Sequence, residues 1–263
     1  MTAYFCGMMK KHFPQTLLFA LLLALALNGC GNSPADSQSS DSKSESVTSS
    51  FDLKNASLAV SIADDRLHAF IARDTLENIT QNLFDYFEST NDADWSQLMH
   101  HFPLHKNSDT AFINSSIRAL DYWTERGVQN RTEMAEVVYA SPAFLDGDQE
   151  VVLLNMNLRH YVEFLPYYEG PNPSGMKGMV ESNYGKGNAQ YFEKEIAEGD
   201  SLPFRYWEIT GFNRIWALSH VDSSHWCFLP PNFNESGSAY MMSSDAMVGG
   251  LRHRRENDPT AQK

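Results

Sequence analysis

The hydrophobic period of this chain changes partway along, and that change restricts the architecture more than any other feature. Leu76, Ile79, Leu83 and Phe87 recur at steps of three and four, with Phe84 beside them. That spacing predicts one face of an amphipathic helix, with Asp74 or Thr75 placed to cap its start. The pattern breaks at Asn91-Asp92-Ala93-Asp94 and resumes as Trp95, Leu98, Met99 and Phe102 before Pro103, a second short helix. Ile113, Ile117, Leu120 and Trp123 predict a third, with Gly127 to end it.

From there the period is two. Met134 to Ala140 and Glu150 to Leu165 read as strands, joined through the hairpin signal Asp146-Gly147-Asp148. In the second strand Met156, Leu158, His160, Val162 and Phe164 share one side, and Asn155, Asn157, Arg159, Tyr161 and Glu163 the other. Pro166 to Gly175 reads as a loop. Further strands are expected at Phe204 to Thr210, Ile215 to Val221 and His225 to Leu229, with a shorter one at Asn188 to Phe192. Helices followed by an antiparallel meander indicate an α+β domain, its N-terminal helices packed on one face of a curved antiparallel sheet.

Upstream of this domain the chain carries an address. Lys10 and Lys11 precede an apolar run from Leu17 to Leu27, followed by Asn28, Gly29 and Cys30. A positive flank, a short apolar core and small residues make a signal peptide over residues 1–29. Spanning a bilayer takes about 20 apolar residues, more than this run supplies. Residues 31–50 hold nine serines and no aromatic residue, so they cannot bury enough surface to offset their ordering entropy. With Cys30 they read as a disordered Ser-rich tether, 30–50.

Residues 51–233 are rich in Phe, Tyr, Trp, Leu and Ile and are expected to form one domain. Residues 234–263 turn to Ser, Gly, Met and charge and are expected to be a disordered tail. The chain has net charge −13, and loss of Lys10 and Lys11 with the signal leaves −15. Such acidity repels phosphate backbones, which argues against a nucleic-acid partner. Of three cysteines, Cys6 departs with the signal and Cys30 with the anchor. Cys227 then stands alone, expected as a buried small hydrophobe.

Leu27-Asn28-Gly29-Cys30 resembles the lipobox of bacterial lipoprotein precursors, in which cleavage precedes the cysteine and lipid is attached to its sulfur. The resemblance implies palmitoyl-type lipidation at Cys30 and a lipid anchor in a bacterial membrane. Gly31 in place of the aspartate of inner-membrane retention points to the outer membrane of the cell envelope.

The order of elements resembles the nuclear transport factor 2-like superfamily, a cone-shaped α+β fold, and within it a group of bacterial envelope proteins. The matching pieces are Leu83-Phe84-Asp85-Tyr86-Phe87 with Asn91-Asp92-Ala93-Asp94-Trp95, then Tyr184-Gly185-Lys186-Gly187-Asn188, then Ile215-Trp216-Ala217-Leu218 with Trp226-Cys227-Phe228-Leu229. The resemblance implies a pocket between sheet and helices, used by some members for catalysis and by others for binding, and it allows a homodimer. Fold alone does not choose between those uses.

Candidate chemistry centres on His160, a lone titratable group on an apolar strand face, set against its alternative as a hydrogen-bonded core residue. Asp85 and Tyr86 are the next candidates, Asp85 on the polar side of its helix and Tyr86 as a donor to a developing oxyanion. His100, His101, His105, His220 and His225 are the candidate metal ligands. Adjacent helical residues diverge by about 100° and Pro103 interrupts the 101/105 pair, so no metal site is expected. No phosphate-binding loop, dinucleotide glycine pattern, nucleophile elbow or HExxH stretch is present, and no cofactor is expected. Tyr161, Tyr167, Tyr168, Tyr206, Trp207 and Trp216 are expected chiefly in the core. Two readings follow: an envelope domain that binds a small apolar ligand or a protein partner, or a pocket enzyme of the isomerase, dehydratase or hydrolase type using His160.

Overall fold

The computed structural model describes residues 58–103, 110–194, 204–221, 223–229 and 242–258. The segments expected as signal peptide and tether, with Cys30, lie outside these residues. Among the described residues five helices surround a seven-stranded mixed sheet, an α+β fold. The helices are α1 (Arg73–Asn91), α2 (Trp95–His100), α3 (Thr110–Glu125), α4 (Lys177–Tyr184) and α5 (Ser244–Asn257). The strands are β1 (Ala59–Ile62), β2 (Val128–Ala140), β3 (Phe144–Asp146), β4 (Gln149–Phe164), β5 (Ala189–Lys194), β6 (Phe204–His220) and β7 (Cys227–Leu229). The sheet runs β1-β2-β4-β6-β5, with β3 also on β4 and β7 on β6. No helix among the described residues is long and apolar enough to cross a membrane.

The predicted alternation along β4 holds. Met156, Leu158 and His160 face the helices, while Tyr161, Glu163 and Arg159 form an ion-paired cluster with Arg131, Glu133 and Glu208 on the opposite face. Leu76, Ile79, Leu83 and Phe87 of α1 pack on the inner face against Val137, Val152, Leu154, Ile215 and Phe228. At the other end of that face Trp123 and α4 cover Val162, Phe164, Trp207 and Ile209. Trp95, Met99 and Leu120 join α2 to α3 between these two clusters.

Several expectations are corrected. The sheet is mixed, because β1 pairs parallel to β2 from Ala59↔Met134 to Ile62↔Val137; four residues are too few to show a period. The helices are not confined to the N-terminal part, since α4 follows β4 and α5 follows β7. Helix α1 begins at Arg73 after Ala72, which offers no side-chain cap, and Asp74 lies inside its first turn, where it complements the helix dipole. The two strands expected at 204–210 and 215–221 are one, continuous in register with β4. Gly211 sits mid-strand at φ 136° against the Asn188 side chain.

The segment expected to be a disordered tail holds α5, packed on the outer face of β4 and β6. Ala246 and Met242 join Val151, Leu153, Trp216 and Leu218 in one apolar cluster. Ser243 caps the helix by accepting from the Ala246 N–H at 3.2 Å. At its far end the buried Asp258 carboxylate accepts from Asn155 Nδ2 and from Arg254 Nε, each at 3.1 Å. Gly249 and Gly250 disguise the helix in the sequence. Gly250 is needed because Trp216 lies directly beneath, where a Cβ would meet its ring at 2.8 Å, and a Cβ at Gly249 would meet the Phe144 ring at 3.0 Å.

Candidate functional site

The three inner-face clusters do not close completely, and a cavity of about 170 Å³ remains where they meet. Tyr86, Phe87 and Thr90 of α1 form one wall and Trp95, Leu98 and Leu120 of α2 and α3 another. The floor is sheet: Asn130 and Thr132 of β2, Met156, Leu158 and His160 of β4, Asn213 and Ile215 of β6. Tyr184, the last residue of α4, closes the side.

Local sequence explains why these side chains meet. After α1 the chain turns through Ala93 at φ 56°, and Asp94 caps α2 by accepting from the Gln97 N–H at 3.0 Å, which sets Trp95 at the cavity. Asn91 holds this turn to the sheet. Its Oδ1 accepts from the Thr132 N–H at 2.6 Å and its Nδ2 donates to the Thr132 carbonyl at 2.8 Å. Among the described residues β1 covers the edge of β2 only from Met134 onward, so the Asn91 carboxamide stands where a neighbouring strand would. Irregularities in the β2–β4 register, on either side of Glu133 and of Val138, bend the strand as bulges do. Tyr184 is fixed by the turn that follows it: Asn188 Nδ2 donates to the Tyr184 carbonyl at 2.8 Å, across Gly185 and Gly187 at φ 93° and 85°.

His160 is 6 % exposed. Its Nδ1 lies 3.0 Å from Thr132 Oγ1, directly across the β2–β4 pair, and its ring stacks on Tyr184 with centroids 5.7 Å apart. Desolvation, with a smaller contribution from the Arg131 charge, pushes its pKa down to about 4, so the imidazole is neutral at pH 7. Burial pushes the Tyr86 hydroxyl up to about 12 and raises that of Tyr184 as well, so both phenols stay protonated.

The structure therefore brings His160 and Tyr86 together and leaves Asp85 out. Asp85 accepts from Gln81 Nε2 at 3.0 Å along the helix surface and does not line the cavity, nor does any other carboxylate among the described residues. His101 is buried beside His225 with ring centroids 5.2 Å apart; His105 lies outside the described residues. No group of three or more His, Cys, Asp or Glu side chains among the described residues is arranged to hold a metal ion. Cys227 is half-buried rather than buried, and desolvation raises its thiol to about 11, far from a nucleophile's range. Of the aromatics expected in the core, Tyr167 is exposed and the other five are buried.

Sequence reasoning missed Trp95, Asn130, Tyr184 and Asn213 as site residues. Asn213 could have been found: in a single β6 it falls on the same side as Ile215 and Ala217, an isolated amide on an apolar face. In comparisons with known proteins, no family model and no curated protein matches the chain.

Proposed function

We propose that this chain is a lipid-anchored bacterial envelope protein whose domain, a cone of the nuclear transport factor 2-like kind, binds a small molecule in the cavity around His160. The observation that carries the binding reading is the cavity itself, an apolar aromatic chamber with a few polar groups in its wall, the usual make-up of a ligand site. A void of about 150 Å³ lined by apolar side chains is large enough for benzene, so about 170 Å³ suits a molecule of one ring rather than a lipid chain. The helices α1–α3 preceding the antiparallel strands β2, β4, β6 and β5, with the cavity between them, support the cone reading. Leu27-Asn28-Gly29-Cys30 supports anchoring through Cys30, and Gly31 favours the outer membrane.

Native mass spectrometry of the chain purified from its own host, before and after denaturation, tests the reading. A small molecule released on denaturation supports it; an empty chain held by a stoichiometric envelope protein points instead to docking. Replacement of Cys30 by Ser is expected to move the protein from the membrane to the soluble fraction.

One observation favours a second reading, a pocket enzyme: His160 and Tyr86 share the cavity. Against it stand the neutral imidazole and the absence of a carboxylate from the described lining, which leave an acid–base pair incomplete.

A further inference from the structure

Asn130, in the floor of the chamber, lies on a bare stretch of sheet edge. Among the described residues β1 covers β2 only from Met134 onward, so Val128 to Arg131 have no strand beside them on that side. A cleft of about 370 Å³ wraps round this edge. Gln129 and Arg131 line it, and by the alternation of a strand their side chains leave on the outer face. Asn130 points the other way, because it lies directly opposite Val162 of β4, a member of an inner-face cluster. Among the described residues Asn130 alone lines both the cleft and the chamber.

The last turn of α1 borders the same two spaces. Phe87 and Thr90 line the chamber, while Glu88, Asn91 and Asp92 line the cleft, as the helical turn from one residue to the next requires. Asn130 is half-buried, and no hydrogen bond among the described residues holds its carboxamide. We infer that chamber and cleft are two halves of one ligand site with Asn130 as the doorway. The molecule it takes has one ring, held in the chamber, and a short arm that passes Asn130 and ends uncharged or cationic in the cleft. The inference rests on the chamber's being a ligand site. Leu165 and Phe204 offer apolar surface to the arm. The sign of its end follows from the cleft's charges: Glu88, Asp92 and Glu163 stand against Arg131, and Glu163 already accepts from Arg131 Nε at 2.8 Å. An anionic end would meet the two remaining carboxylates, a repulsion that salt weakens without changing its sign.

The test compares a ring without an arm, acetophenone, with 4-phenylbutan-1-amine and 4-phenylbutanoate, which have arms of equal length and opposite charge. Each is titrated into the full chain and followed in ¹H–¹⁵N spectra. Acetophenone is expected to shift the Trp95 indole signal and leave the backbone amides of Asp92 and Gln129 fixed. The amine is expected to shift all three with one affinity, at least tenfold tighter than that of the carboxylate. Butan-1-amine, an arm without a ring, is expected to move none of them at the same concentration. In Asn130→Phe, which fills the doorway, the amine is expected to lose at least tenfold in affinity and acetophenone threefold or less. An amine that shifts Trp95 and leaves Asp92 and Gln129 fixed would overturn the two-part site while leaving the chamber a ligand site. Equal shifts of the cleft by butan-1-amine would overturn it too, and equal binding of amine and carboxylate would overturn the charge of the arm. Failure of every probe to move Trp95 would overturn the ligand-site reading itself. Should Asn130→Phe fail to fold, the shifts in the unmodified chain decide alone.

Discussion

Thr132 Oγ1 and His160 Nδ1 face each other at 3.0 Å across two adjacent strands, and this pair ties the His160 ring to β2 at the cavity floor. The imidazole has a hydrogen-bond partner on one nitrogen, stacks on Tyr184, and is buried too deeply to hold a charge cheaply.

That burial gives a pH dependence of known sign. The folded-state pKa of about 4 lies below the ordinary 6.5, so the unfolded chain binds the proton more readily between those values. Stability from this group is complete above about pH 6.5 and is lost as pH falls towards 4, by on the order of 3 kcal/mol. His160→Gln is expected to lose correspondingly less stability between pH 7 and pH 4 in denaturant titrations. His101 and His253 are shifted the same way by burial but are present in both proteins, so the difference isolates His160. Parallel profiles would contradict the assignment.

Asn91→Ala removes both hydrogen bonds to Thr132 and strands two backbone groups at the edge of β2. The expected loss is about 2–4 kcal/mol, or roughly 5–15 °C in Tm for a domain of this size. Asn91→Asp keeps the acceptor and loses the donor, and is expected to fall between. A melting curve unchanged in Asn91→Ala would show that the carboxamide does not hold the α1–α2 turn to the sheet.

A helical glycine replaced by alanine ordinarily gains up to about 1 kcal/mol. Gly250→Ala is expected to reverse that sign and cost about 1–3 kcal/mol, because the added methyl meets Trp216. Gly250→Ala with Trp216→Leu should recover part of the loss. Stabilisation by Gly250→Ala alone would mean that α5 does not sit on Trp216.

Much of the scaffold was readable from the sequence because period reports burial wherever a segment is long enough. The α1 stripe and the two faces of β4 follow from side-chain spacing, and the Asp146-Gly147-Asp148 turn from its residue types. Strand β1 and helix α4 are too short to show a period, and α5 owes its place to small residues fitted over Trp216, a property of the partner surface rather than of its own pattern. The site was legible only in fragments. His160 stood out as a polar residue on an apolar face and Tyr86 lay next to the α1 stripe. Trp95 and Tyr184 reach the cavity through turns, at Ala93 and at Gly185–Gly187, whose geometry comes from contacts with Thr132 and Thr210 far along the chain. Asp85 illustrates the limit: it neighbours Tyr86 in sequence, and a helix turns it away.

The central claim, that the chamber among Tyr86, Trp95, His160 and Tyr184 receives a small molecule, is tested most directly at the Trp95 indole. In a ¹H–¹⁵N spectrum of the folded chain, the Trp95 Nε1–H signal, identified by its loss in Trp95→Phe, is followed as acetophenone is added. The account predicts a saturable shift of this signal, with the indole of Trp216, on the opposite face of the sheet, unmoved. Saturation of other sites while the Trp95 signal stays fixed would contradict it.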